Sequence, residues 1–387
     1  MSHENVSALA PIDVLVIGAG PTGLTLATAL RTHGIRVAVV DRLAEGANTS
    51  RAAVVHARTL EALETVQVSD RLVSLGIHAP RFTIRDRDRV LVPIDFGKLP
   101  TKYPYSLMVS QAVTERVLLD RFLELGGHIL RPRVLADLSQ DESGVTAVLD
   151  DGSRIRARYL VGADGMHSAV REHVGIPFVG GSYDESFVLA DVRLSGGVVS
   201  DEVILYFSQA GILVVAPLPG NIHRIVGTVH DAPEQPSKEY VQALLDARGP
   251  ASNPAVVHEV LWGSRFRVHH RVADVYRAGR VLLAGDAAHV HSPAGGQGMN
   301  AGILDAITLA NALHAALTKG EDAALDAYGE QRRPIAKQIV ALADRLTRLA
   351  TVRPGLRQLR NLILGSVARL PMVRRRLAWQ LSGLVYR

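Results

Sequence analysis

DVLVIGAGPTGLTLATALRTHG, residues 13 to 34, runs from a short apolar stretch through a glycine-rich turn into a segment with helical spacing at Leu26 and Leu30, stopping at Gly34. The apolar run VAVVD (37–41) comes next, so the whole reads as a βαβ unit. Its turn holds glycines at 18, 20 and 23, followed by the helix start at Pro21 and Thr22. Gly18 permits the tight turn, Gly20 lets backbone approach a pyrophosphate, and Gly23 lets the helix pack closely. Phosphates would face the free N–H groups of the helix start, each charge gaining roughly 0.3 to 1 kcal/mol there, so the site needs no lysine. Asp41 ends the second strand 18 residues past Gly23, where a carboxylate accepts from an adenosine ribose. The unit is a dinucleotide site, and by itself it does not choose FAD over NAD.

The composition narrows the chemistry. In 387 residues, 47% hydrophobic and 21% charged, there is room for two or three intertwined units and no sign of disorder. No apolar run approaches the roughly 18 residues of a membrane span, and the start, MSHENVSALAPIDVLVIG, lacks the pattern of a secretory leader, which predicts a cytoplasmic protein. Zero cysteines exclude disulfides, thiolate metal sites and cysteine nucleophiles, so redox chemistry needs a bound cofactor. The net charge of +5 does not indicate nucleic acid: residues 353–387 hold eight arginines and no acid, and the remainder sums to −3. That tail reads as basic faces on C-terminal helices, or as a peripheral membrane or partner surface.

Farther along, ARTLEALETV (57–66) and AVTERVLLDRFLELGG (112–127) have helical spacing, and residues 145–165 read as strand, turn, strand and loop. Residues 186–230 are short β-rich segments, which predicts an antiparallel sheet inserted into the nucleotide-binding fold. RVLLAGD (280–286) returns to a buried strand, 298–317 and 322–349 are helical, and GLRQLRNLILGSVARLPMVRRRLAWQLSGL (355–384) predicts two helices broken at Pro371. No internal repeat is present.

Two further motifs decide the cofactor. GADGMHSAVRE (162–172) sets Asp164 and Gly165 in a turn after a strand, with Ser168 and Arg171 at a helix start. GDAAHVHSPAGGQGMNAG (285–302) is nearly bare of side chain apart from two histidines. With GAGPTG these resemble the three fingerprints of the class A flavoprotein monooxygenases, the p-hydroxybenzoate hydroxylase-like family, in the expected order over residues 12 to about 335. SRAAVVHARTLEAL (50–63) and WGSRFRVHHRVADVYRAGRV (262–281) are similar to its polyketide and phenol hydroxylase branch.

The resemblance implies an α/β fold: a Rossmann-type FAD-binding domain interleaved with a β-rich substrate domain, plus C-terminal helices. The expected division is FAD-binding at 1–80, 107–180 and 271–335, substrate-domain strands at 81–106, the substrate sheet at 181–270, and C-terminal helices at 336–387. It implies that Gly285 and Asp286 take the ribityl chain and that Pro293, Gly295, Gly296, Gly298, Met299 and Asn300 pass along the flavin ring with backbone as the ligand. Asp41 and Arg42 would hold the adenosine half, Arg51 and Gln111 would reach the pyrophosphate and ribityl region, and Asp164 would lie near the pyrophosphate and the nicotinamide route. For Arg51 a solvated arginine, and for Gln111 a helix cap or a surface residue, are the competing readings. His289 and His291 line or support the flavin pocket; no metal is expected, because neither HExxH nor a paired acid accompanies them.

By the same resemblance NADH or NADPH reduces the flavin, O2 adds at C4a, and the resulting hydroperoxide hydroxylates a phenolic or polycyclic polyketide-type substrate. Tyr206, His223 and Arg267 are the polar candidates of the substrate pocket. Baeyer-Villiger insertion, epoxidation and quinone-forming oxidation stay open, as does a binding protein of the same fold without turnover. The WxWxIP segment of flavin halogenases is absent. Many relatives in this branch carry a thioredoxin-like C-terminal domain, and about 50 residues follow Pro334, too few for one.

Overall fold

The computed structural model describes residues 12–46, 52–208, 210–229, 232–292, 295–350, 352 and 354–387. Three sheets organise it, with strands numbered in chain order. The first contains β1 (Ile12–Ile17), β2 (Val37–Val40), β8 (His128–Leu130), β11 (Arg154–Gly162), β17 (Arg277–Ala278) and β18 (Val281–Leu283) in the order β17-β18-β11-β1-β2-β8, with β9 (Leu135–Asp141) and β10 (Gly144–Leu149) paired off β11. β18, β11, β1, β2 and β8 run parallel, as βαβ connections require. β1 and β2 are apolar along almost their whole length, as buried central strands of a parallel sheet are, with α1 packed against both.

The second sheet has the order β19-β16-β12-β15-β14-β13-β5-β6. Its strands are β5 (Arg81–Asp86), β6 (Arg89–Asp95), β12 (Phe178–Ser195), β13 (Glu202–Ser208), β14 (Gly211–Leu218), β15 (Ile222–Val229), β16 (Val256–Ala273) and β19 (His289–Val290). It is antiparallel as expected, except where β13 meets β5 in parallel. Those two strands come from distant segments, so no hairpin dictates their direction. β3 (Val54–Val55), β4 (Ile77–Ala79) and β7 (Ser106–Met108) make a small third sheet between the larger ones.

The helices are α1 (Pro21–Thr32), α2 (Ala57–Leu63), α3 (Ser69–Leu75), α4 (Gln111–Glu124), α5 (Ala169–His173), α6 (Lys238–Arg248), α7 (Gly298–Lys319), α8 (Ala323–Ala350), α9 (Arg357–Val367) and α10 (Pro371–Leu381). α1 packs between α7 and α4, and α6 covers one face of the second sheet. Pro371 starts α10 at its first turn, where a missing N–H breaks no bond. α7 is the one helix among the described residues long and apolar enough to cross a membrane, yet its apolar residues Ile303, Leu309 and Leu313 are fully buried in the main core.

Candidate active site

The three glycine motifs meet through contacts that leave no room for a Cβ. Gly18 has φ +107°, and a Cβ there would lie 2.3 Å from the carbonyl oxygen of Ala163, so the first loop rests directly on the second. At Gly23 the Cβ would lie 1.9 Å from the carbonyl oxygen of Gly18, which holds α1 against its own turn. Gly285 and Gly302 would bring theirs to 2.5 and 2.3 Å from Thr22 Oγ1, so Thr22 is wedged between the third loop and α7. Gly20 is the opposite case: nothing lies within 4 Å of its Cβ position, so the space before α1 is open. Ser110, Ser168 and Ser237 cap α4, α5 and α6; α1 and α7 begin at Gly20 and Gln297 with neither a side-chain cap nor an acid in the first turn, a state that α2, α9 and α10 share. Bare amides at two helix starts suit an anionic, polar ligand.

Acidic groups surround this space. Asp41 closes β2, its Oδ2 accepting from the Ala19 N–H at 2.6 Å and its Oδ1 from that of Leu43 at 2.8 Å, which fixes the carboxylate beside the first loop. Arg42 is exposed. Asp164 accepts from the Val170 N–H at 3.2 Å, while its buried Oδ1 has no hydrogen-bond partner among the described residues; burial pushes its pKa up. Asp286 is exposed in the turn Gly285–Ala287. Gln111 is the first residue of α4, not its cap: it accepts from the Ala52 N–H at 3.3 Å and donates to Glu115 at 2.8 Å. Arg51 and Pro293 lie outside the described residues. Arg171, at the second motif, donates to the carbonyls of Ala287 and Met166, each at 3.0 Å, tying that motif to the third.

Gly295 and Gly296, at φ +88° and +63°, turn the chain into α7 with Gly298 and Met299 in its first turn. Asn300 anchors this loop: Oδ1 accepts from the His56 N–H at 2.8 Å, and the amide donates to the carbonyls of Val54 and Gly296 at 3.0 and 2.8 Å. His56 Nε2 donates to the Gly295 carbonyl at 3.0 Å, and Gln297 donates to that of Leu381 at 3.1 Å. His56 and Gln297 lie inside two of the quoted stretches, 50–63 and 285–302, but nothing in the local pattern assigns either a role.

His56 Nδ1 and His291 Nε2 are buried without a hydrogen-bond partner among the described residues, and burial lowers the pKa of each ring to about 4. The unfolded chain, with histidine near 6.5, then binds more protons than the folded one between that pH and about 4. Stability therefore falls as pH drops through this window, by about 2 kcal/mol for His56 between pH 7.5 and 5, with His291 acting in the same direction. Urea midpoints of the flavin-free protein, measured across this window, should fall accordingly; a flat series down to pH 5 would refute the assignment.

Behind the third loop lies a buried ionic cluster. Asp305 receives His289 Nε2 on Oδ2 and Arg332 Nε on Oδ1, both at 2.6 Å, and the Gly285 N–H also donates to Oδ2 at 3.2 Å. Burial alone would raise the Asp305 pKa, but Arg332 and His289 hold it below the usual carboxylate value. His289 thus supports the loop through Asp305, and His291 Nδ1 is engaged by the Ser292 carbonyl at 2.8 Å.

The pocket candidates fare differently from the glycine motifs. Tyr206 packs with Leu213, Val241 and Leu245 on the face of the second sheet that α6 covers, and burial pushes its pKa up to about 12. His223 shares that face, beside Leu194 and Asn221, and Arg267 is exposed on β16. The opposite face carries Arg224, paired across strands with Asp191. Arg224 makes a two-pronged ion pair with Asp191, both bonds 2.7 Å, and donates to the Ala52 carbonyl at 2.9 Å. This buried pair joins the second sheet to the segment that reaches Val54 and the 295–300 loop, and the sequence offered no signal for it beyond two charges in β-rich segments.

Among known proteins, residues 11–343 match the family model described as FAD binding domain. The chain is 39% identical to the 6-methylpretetramide 4-monooxygenase of Streptomyces rimosus, over 88% of this chain and 62% of that protein. It therefore spans less than two thirds of that relative's length. It is 35% identical to the 12-dehydrotetracycline 5-monooxygenase/anhydrotetracycline 6-monooxygenase of Streptomyces rimosus subsp. rimosus, over 96% of this chain and 76% of that protein. The solved p-nitrophenol 4-monooxygenase of Pseudomonas putida superposes with a TM-score of 0.86 at 26% identity, covering 96% of this chain and 98% of that one. The chain belongs to the FAD-binding-domain family that includes the class A aromatic and polyketide monooxygenases.

Proposed function

We propose that the protein is an FAD-dependent hydroxylase of the cytoplasm that uses NADH or NADPH and O2 to oxygenate a phenolic or polycyclic polyketide-type substrate. The observation that carries this reading is the direct contact of three bare backbone loops, Gly18 on Ala163 and Gly285 on Thr22, around the open space at Gly20 and beside the fixed carboxylate of Asp41. These residues fit an FAD: open space at Gly20 for a pyrophosphate, an exposed Asp286 for a polyol, and uncapped amides at the start of α7 for the pyrimidine edge of a flavin. When bound, that group accepts hydride from the nicotinamide and activates O2.

The chain's part is to bind, orient and keep water out. The N-terminal end of α7 favours negative charge at the adjoining loop, and Asn300 and His56 hold the loop in shape. Arg224 and Asp191 are the polar groups we assign to the substrate side in place of Tyr206 and His223, which face α6. Segments 1–80, 107–180 and 271–335 would serve the cofactor and 81–106 with 181–270 the substrate, with 336–387 as C-terminal helices.

Purified protein should be yellow and consume NAD(P)H faster when an aromatic substrate is added, and with 18O2 the product should gain one labelled oxygen by mass spectrometry. A colourless protein that takes up no FAD would overturn the proposal, and turnover restricted to single-ring benzoates would overturn its polyketide part.

A further inference from the structure

α9 is built inside out. Its inward side carries Arg360 and Asn361, both buried: Arg360 donates to the Leu349 and Phe207 carbonyls, each at 3.0 Å, and Asn361 donates to Asp86 at 2.7 Å. Its outward side carries Leu359, Leu362, Ile363 and Val367, at helical spacings of three, four and eight, each 44 to 58% exposed. Leu370 and Met372 extend the stripe at 57 and 82% exposure. Among the described residues, nine of the nineteen exposed large apolar side chains fall between Leu349 and Val385. A helix in contact only with water has the reverse arrangement.

The charge on this surface identifies what it meets. Residues 353–387 contain eight arginines and no acid, of which Arg360 points inward and Arg387 is paired with Glu61. Arg375 and Arg376 are exposed at spacings of three and four from Met372 on α10, and Arg369 is exposed at the turn between the helices. Trp379 on α10 is half-buried against the main core, with the Arg387 guanidinium 5.8 Å from its ring centre. A two-fold contact between copies would set the exposed Arg369, Arg375 and Arg376 of one copy against those of another, which like-charge repulsion opposes. A leucine stripe bordered by arginines matches an anionic bilayer surface, where acyl chains take the apolar groups and headgroup phosphates take the guanidinium groups.

We propose that the exposed sides of α9 and α10 seat the protein on anionic lipid. α10 ends at Leu381, the residue whose carbonyl binds Gln297, so the seat adjoins the 295–300 loop. The proposal concerns a surface and stands whether or not the hydroxylase reading holds.

The test is co-sedimentation of the flavin-loaded full chain with phosphatidylcholine vesicles, with and without about a third phosphatidylglycerol. Partitioning should be at least tenfold stronger onto the anionic vesicles and should weaken as salt is raised. The exposed triple variant Leu359→Gln, Leu362→Gln, Ile363→Gln should lose at least tenfold. The triple variant Arg369→Gln, Arg375→Gln, Arg376→Gln should lose roughly a hundredfold, and its residual binding should depend less on salt. Unchanged flavin content and circular dichroism in both variants would show that the fold is intact. Three results would overturn the proposal: equal binding to both vesicle types; no vesicle binding together with a concentration-dependent dimer that the leucine variant abolishes; or binding to an acidic polypeptide without binding to vesicles.

Discussion

Gly23→Ala is expected to leave the protein without retained flavin. The added methyl would lie 1.9 Å from the Gly18 carbonyl oxygen and 3.4 Å from the Ala163 Cβ. The nearer obstacle is backbone, and Gly18 cannot retreat because its own Cβ position is already 2.3 Å from the Ala163 oxygen. α1 must move off its turn, and the amides at its start then no longer converge where Gly20 leaves space. Overpacking of this kind destabilises by about 1–3 kcal/mol. The loss of positioned amides adds a fall in flavin affinity of at least tenfold. The ratio of flavin to protein absorbance after desalting, with a titration by fluorescence quenching, measures both. A variant that keeps a full complement of flavin at the parent affinity would disprove the contact's role. Gly302→Ala gives a paired control, since its methyl meets a side chain, Thr22 Oγ1, at 2.3 Å. That variant should be damaged less than Gly23→Ala, and adding Thr22→Ala should restore much of the loss because it removes the clashing atom.

The contrast between these glycines and the pocket residues shows where sequence reasoning reached its limit. Gly18, Gly20, Gly23 and Asp41 were legible because their tasks follow from one strand, one turn and one helix start, all local. Gly285, Gly295 and Gly296 stood out because a segment nearly stripped of side chains points to backbone as the binding group, whereas Asp286 was singled out only by the family resemblance. Tyr206 and His223 were chosen because they are polar residues in β-rich segments. Strand alternation says that Tyr206 and Leu205 face opposite sides but not which side α6 covers. That choice is made by the packing of Val241 and Leu245, about 35 to 40 residues away in sequence. Arg224 and Asp191 become partners only through the register of β12 on β15. In α9 the helical period was equally visible, but the usual assumption that leucines face inward fails there, because Arg360 and Asn361 find buried carbonyls and a carboxylate instead.

Asp305→Ala is the other change with a large expected effect, and it separates folding from positioning. The side chain is buried between His289 and Arg332, and its removal leaves the Arg332 guanidinium, among the described residues, with only a long contact, 3.4 Å, to the Ala301 carbonyl. Stranding a buried charge in this way costs about 3–5 kcal/mol. The Gly285 N–H loses its acceptor at the same time, so the turn carrying Asp286 is released from α7. Thermal or urea unfolding should show the first loss, and a weakened flavin affinity the second. Replacing both charges with apolar residues of similar volume, Asp305→Leu with Arg332→Met, removes the stranded guanidinium and should recover most of the stability. It cannot return an acceptor to Gly285, so flavin affinity should stay low. If affinity recovers together with stability, the aspartate acts only on folding; if stability returns while affinity stays low, Asp305 is what holds the third loop at the angle the flavin requires.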